Sequence, residues 1–123
     1  MQYQKENDGG LIVNLNVFER LLLRNIVPQI QGWNYAHMKE ARELIEGLFT
    51  EQEETDLQFE QEGTQVKWKI AKEDGEPIPQ ERDIPVSDGL QKKIGKFLTQ
   101  LDKEERLGFE HMTLCDKFIE AIE

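Results

Sequence analysis

Between Thr50 and Ala71 a sharp acidic turn leads into a pattern that only a two-stranded ribbon satisfies well. Thr50 caps a helical turn, and Glu53 three residues on completes a capping box. Leu57-Gln58-Phe59-Glu60-Gln61 then alternates apolar and polar, Glu62-Gly63 reads as the tight turn, and Thr64 to Ile70 alternates again. Pairing Gln61 with Thr64 sets Phe59 against Val66 and Leu57 against Trp68 on one face. The same register sets Gln58 against Lys67 and Asp56 against Lys69 on the other. The side-chain period of a strand is two, so a one-residue slip scrambles both faces.

The elements on either side are less sharply marked. Residues 1–10 are polar, end in Asp8-Gly9-Gly10 and read as a flexible N-terminus, leaving 11–123 as a single domain. Leu11, Val13, Leu15 and Val17 alternate with Asn14 and Asn16, which suits a short extended piece. Asn16 caps a helix with Glu19 at its third position, and Pro28 stops that helix near Val27. Asn34 caps the next, with Trp33 placed to staple onto Met38, and Ala41, Leu44, Ile45 and Leu48 continue the apolar stripe. After the ribbon, Asp74-Gly75 and two prolines make a loop, and Ile84 and Val86 flank Pro85 in a strand that can only lie at an edge. Ser87 or Asp88 caps a long helix through Leu101. A last helix sets Met112, Cys115, Phe118, Ile119 and Ile122 on one side, a stripe that either covers the core or closes a homodimer.

The fold class expected is α+β: a mostly helical single domain with a central β-hairpin. Helix, helix, short helical turn and hairpin follow in winged-helix order, and an unrelated α+β domain with a small sheet packed on helices fits the same order.

Charge narrows the function. The 123 residues carry 25 Asp and Glu against 15 Lys and Arg, a net charge of -10. Six of the acids fall in residues 50–64, which hold no base. A winged helix would put Glu51-Gln52-Glu53-Glu54-Thr55-Asp56 at its recognition position, where a polyanion repels them. Lys92, Lys93 and Lys96 are the alternative phosphate contacts. With one cysteine, Cys115, no internal disulfide forms and a reducing cytoplasm is expected. No apolar run is long enough to span a bilayer and no basic-then-apolar leader is present, so neither membrane insertion nor secretion is expected.

Chemical motifs are sparse. His111 and Cys115 have the helical spacing of a zinc pair but lack a second pair, and Cys115 sits in an apolar stripe. The acidic run lacks the alternation and glycine of a calcium loop. There is no phosphate-binding glycine loop and no nucleophile elbow. No catalytic residue, metal or cofactor is therefore assigned. The favoured function is non-catalytic: Glu51, Glu53, Glu54, Asp56, Glu60 and Glu62 form an acidic edge that occupies a basic groove on another protein. A DNA-binding regulator of winged-helix type is the alternative, and a small enzyme with a pocket near Tyr35 to His37 is the third.

Leu15-Asn16-Val17-Phe18-Glu19-Arg20-Leu21-Leu22-Leu23 with Ile26-Val27-Pro28, and later Gln61-Glu62-Gly63 with Val66-Lys67-Trp68, resemble segments of small uncharacterised proteins encoded by phages and prophages. The resemblance covers much of residues 11–71. It implies a phage or mobile-element origin and action inside a bacterial host cell, and it carries no functional residues with it.

Overall fold

The computed structural model describes residues 3–5 and 11–119. Its strands are β1 (Tyr3–Lys5), β2 (Leu11–Asn16), β3 (Glu60–Glu62), β4 (Gln65–Lys67) and β5 (Glu81–Val86). Its helices are α1 (Val17–Ile26), α2 (Tyr35–Gly47), α3 (Glu51–Leu57), α4 (Asp88–Lys103) and α5 (Met112–Phe118). The class is α+β, with the hairpin in mid-chain as expected and a second, three-stranded sheet beside it.

That second sheet has the order β1-β2-β5 and is antiparallel throughout. Alternation in β2 buries Leu11, Val13 and Leu15, and β5 answers with Ile84 opposite Val13 and Val86 opposite Leu11. The fourfold spacing in α1, α2 and α4 closes over this face with Leu23, Leu44, Ile94 and Leu98, and Leu114 and Phe118 of α5 complete the core. Burying one such side chain is worth about 1.5–3 kcal/mol. Pro85 sits opposite Ile12 on a strand whose only partner among the described residues is β2, the edge location a proline requires.

Four helix starts follow their caps. Asn16 and Thr50 form capping boxes with Glu19 and Glu53, and the Ser87 hydroxyl accepts from the Leu90 amide at 3.3 Å. Past Ile26 the chain tightens into a 3-10 turn over Val27–Gln29 with Pro28 in its first turn. Asn34 caps α2. Trp33 lies under Lys93, 5.2 Å from its ring centroid, and Met38 is exposed.

Two expectations change. Tyr3–Lys5, expected to be loose, pairs with Leu11–Val13 as β1; an edge strand can be recruited by backbone bonds alone and needs no apolar alternation. The rest of residues 1–10, like Ile122, lies outside the described residues. In the hairpin, the loop is Gly63-Thr64, not Glu62-Gly63, and the register pairs Gln61 with Val66 and Glu60 with Lys67. The cause is local: a two-residue loop needs positive φ at its first position, and Gly63 takes φ 59° there where Glu62 would be strained. Moving the loop one residue along shifts each cross-strand partner by two. Face parity survives, so Phe59, Val66 and Trp68 still share a side.

Apart from that face the hairpin is solvated, and β2 is covered on its inner side. Amide hydrogen exchange should therefore be fastest in β3 and β4 and slowest in β2, measured by mass spectrometry or NMR on the native protein. Equal protection of the two sheets would contradict this packing.

Candidate functional site

Three places bear on function: an ionic hub beneath α3, the acidic surface above it, and a groove between α1 and the hairpin.

The hub follows from Arg20, which the capping box at Asn16 places on the inner side of α1. Arg20 is fully buried. Its guanidinium donates to the Leu48 carbonyl at 2.9 Å, to the Gln80 carbonyl at 3.2 Å and to Glu53 Oε2 at 2.7 Å, and it stacks 4.6 Å over Phe49. Arg82 of β5 donates to Glu53 Oε1 at 3.1 Å and to the Gly47 and Leu48 carbonyls. Both guanidiniums thus satisfy carbonyls at the C-terminus of α2, the negative end of the helix dipole. Burial pushes the Glu53 carboxyl up, but the Thr50 amide, the Arg20 and Arg82 hydrogen bonds and the Arg20 charge outweigh it and hold the group below the ordinary glutamate value. A second ionic contact ties α5 to α1: Lys117 Nζ donates to buried Glu19 Oε1 at 2.8 Å and to the Asn14 carbonyl at 2.7 Å.

Of the six carboxylates assigned to the acidic edge, Glu53 is withdrawn from it by this hub. It is a structural counter-ion, with its side chain 18% exposed. The reason is the cap itself, because the third position of a capping box must turn back toward the chain. Glu51, Glu54 and Glu60 are exposed, and among the described residues none has an ion pair or side-chain hydrogen bond. Asp56 is half-buried and accepts from Gln52 at 3.0 Å, and Glu62 pairs with Lys67 at 2.9 Å.

The other candidates are placed as follows. His111 Nδ1 accepts from the Gly108 amide at 3.0 Å, so one ring nitrogen is committed. Burial, with Asp102 and Asp116 nearby, pushes the Cys115 thiol up, away from the thiolate a metal needs. No group of three or more His, Cys, Asp and Glu that could hold a metal occurs among the described residues. Tyr35 is 79% exposed on the first turn of α2, while His37, two residues on, is directed at Gly89 of α4. Residues two apart on a helix do not share a face. Of the lysines, Lys92 pairs with Asp88, and Lys93 donates to the Gly32 carbonyl at 2.8 Å. The stripe of α5 splits: Phe118 is buried with Leu114, while Met112 is exposed.

Sequence reasoning missed the groove. Phe18, Leu21, Leu22 and Asn25 of α1 form one wall, and Thr64, Gln65, Val66 and Trp68 form the other, around an open space of about 710 Å³. Phe18 is 43% exposed. The signal was present in α1, where Phe18, Leu21, Leu22 and Asn25 continue a helical stripe offset from the core stripe of Leu23 and Ile26.

No helix among the described residues is long and apolar enough to cross a membrane. Compared with protein-family models, curated proteins and solved structures, the chain matches none.

Glu53→Ala leaves the buried Arg20 guanidinium without its counter-ion and should cost about 3 kcal/mol in denaturant unfolding, while Arg20→Met should cost less because Arg82 still pairs with Glu53. Because the Glu53 value is lowered by folding, its stabilisation is present above about pH 4.3, the unfolded value, and is lost as pH falls through the lowered folded value. Glu53→Gln should flatten that part of a stability-versus-pH curve. Separately, a Cβ on Gly89 would lie 2.6 Å from His37 Nε2. Gly89→Ala should bring no helix-propensity gain in the native background and up to about 1 kcal/mol with His37→Ala, a coupling that a double-mutant cycle reads directly.

Proposed function

We propose that the protein is a non-catalytic protein-binding accessory factor whose acidic surface engages a basic surface on a partner. The observation that carries this is the orientation of Glu51 and Glu54, exposed and outside any ion pair among the described residues on a helix held by the hub beneath it, with Glu60 exposed on β3 and likewise outside any ion pair, Lys67 opposite it being paired with Glu62. Carboxylates already engaged internally would have to exchange one cation for another on binding; these three do not. With Glu62 at the hairpin turn they steer a basic partner by long-range attraction, an effect on association rate above all. Origin in a phage or mobile element, implied by the resemblance over residues 11–71, fits a partner met inside a bacterial cytoplasm.

DNA binding through Lys92, Lys93 and Lys96 is the second reading, and the engagement of Lys92 and Lys93 within α4 and with the 32–33 turn weighs against it. Affinity capture from bacterial lysate separates the two. Protein partners captured at low salt should be lost on combined Glu51→Lys, Glu54→Lys and Glu60→Lys substitution, with unfolding stability within about 0.5 kcal/mol of native, as is usual for surface changes. Capture that survives the triple reversal, or salt-sensitive retention of duplex DNA by the native protein, would reject the proposal.

A further inference from the structure

The groove beside α1 has a backbone edge as well as apolar walls. In a two-residue hairpin the residues flanking the loop exchange hydrogen bonds, so Gln65 and Lys67 direct their amides and carbonyls at β3. The pattern continues past the strand, where the Lys69 amide donates to the Leu57 carbonyl at 2.8 Å. Val66 and Trp68 fall on the alternate positions and direct theirs the other way. Among the described residues no backbone bond uses that outer edge before Ile70, whose carbonyl accepts from the Ile78 amide at 2.9 Å. The groove lies on the unpaired stretch. No residue of β3 lines it, while Gln65 does, although its side chain is on the opposite face of the ribbon from Val66.

Charge at the groove is opposite to that of the chain. None of its lining residues is a carboxylate, and its single formal charge is Arg24, in the last turn of α1. Arg24 is held 5.4 Å over the Phe49 ring and has no carboxylate within salt-bridge distance among the described residues. In a chain with 25 acids, a guanidinium left unpaired beside an apolar groove is complementary to an incoming anion. At physiological ionic strength exposed charges more than about 8 Å apart are largely screened, so this nearest charge outweighs the net charge of the protein.

We infer that the groove takes an extended peptide segment of a partner protein, added as a strand along the outer edge of β4, with alternate apolar side chains between Phe18, Leu22 and Val66 and one aspartate or glutamate on Arg24. A strand supplies backbone partners to Val66 and Trp68. A helix in the same place would bury those groups without partners. The acidic-surface proposal stands apart from this one, since Glu51, Glu54 and Glu60 do not line the groove and their reversal leaves it intact.

Selection of a displayed random heptapeptide library on the full chain tests it, with enriched sequences resynthesised as acetylated, amidated peptides and titrated by calorimetry. The expected consensus alternates apolar residues and contains one acid. Replacing that acid by its amide, or Arg24→Glu in the protein, should weaken binding about fivefold, as for a partly exposed ion pair, and a peptide with lysine at the acidic position should recover it on the Arg24→Glu protein. Methylating the alternate backbone amides that face β4 should abolish binding. The inference fails if enriched peptides carry apolar residues at helical spacing or a basic consensus, if they need a free C-terminus, if Arg24→Glu or amide methylation has no effect, or if nothing is enriched. It fails equally if light scattering shows a dimer that Arg24→Glu dissociates, because a second copy then fills the groove.

Discussion

Arg20 is the residue around which the rest has to be arranged. A guanidinium with no solvent exposure is strongly destabilising unless its donors and its charge are both met. Here they are met from several directions: carbonyls at the end of α2 and before β5, the Glu53 carboxylate from α3, and the Phe49 ring beneath. Arg82 repeats the arrangement from β5, so one carboxylate bridges two cations and both cations close the C-terminus of α2. This polar contact ties α3 to the end of α2, alongside the burial of Leu57.

The same contact also sorts the acidic stretch. The Thr50 cap turns Glu53 inward, and helical geometry then carries Glu51 and Glu54, two before and one after, toward water. A run that looks uniform in charge is therefore divided between one structural acid and several free ones. The hairpin continues the division: Phe59, Val66 and Trp68 share one side, where the Phe59 ring meets Phe49 edge-on at 5.2 Å, and Glu60, Glu62 and Lys67 share the other. The same hairpin bounds the groove at α1, so a single small ribbon presents a charged outer face and an apolar inner margin that meets Arg24 of α1 across the groove.

Much of the fold could be read along the chain because its signals are local. Asn16 with Glu19, Thr50 with Glu53, Asn34 and Ser87 each satisfy amides within three residues of themselves, and the structure uses all four as caps. The apolar periods of β2, α2 and α4 became their buried faces. Partnership was harder to read. Nothing in Leu11–Asn16 says that its neighbour is Glu81–Val86, some seventy residues on, and Tyr3–Lys5 has no pattern to mark it as a strand. The contact of Lys93 with Trp33 was out of reach for a similar reason: distant in sequence, Lys93 sets its cation over the indole and donates to the Gly32 carbonyl. Among candidate site residues, exposure of Glu51, Glu54 and Glu60 was foreseen, the inward turn of Glu53 was not, and the groove beside Phe18 was missed.

What the amino-acid order settled by itself was where four of the helices begin, which side of β2 and of the hairpin is apolar, and the sign of the net charge. All of these rest on interactions spanning a few residues or on composition alone. Three things waited for the tertiary structure: the β2–β5 pairing, the capture of Glu53 by Arg20 and Arg82, and the opening between α1 and β4. Each depends on groups that are far apart along the chain and meet only after the core has closed, when the cost of burying a charge or leaving a backbone edge unpaired is decided by whatever lies within a few ångströms.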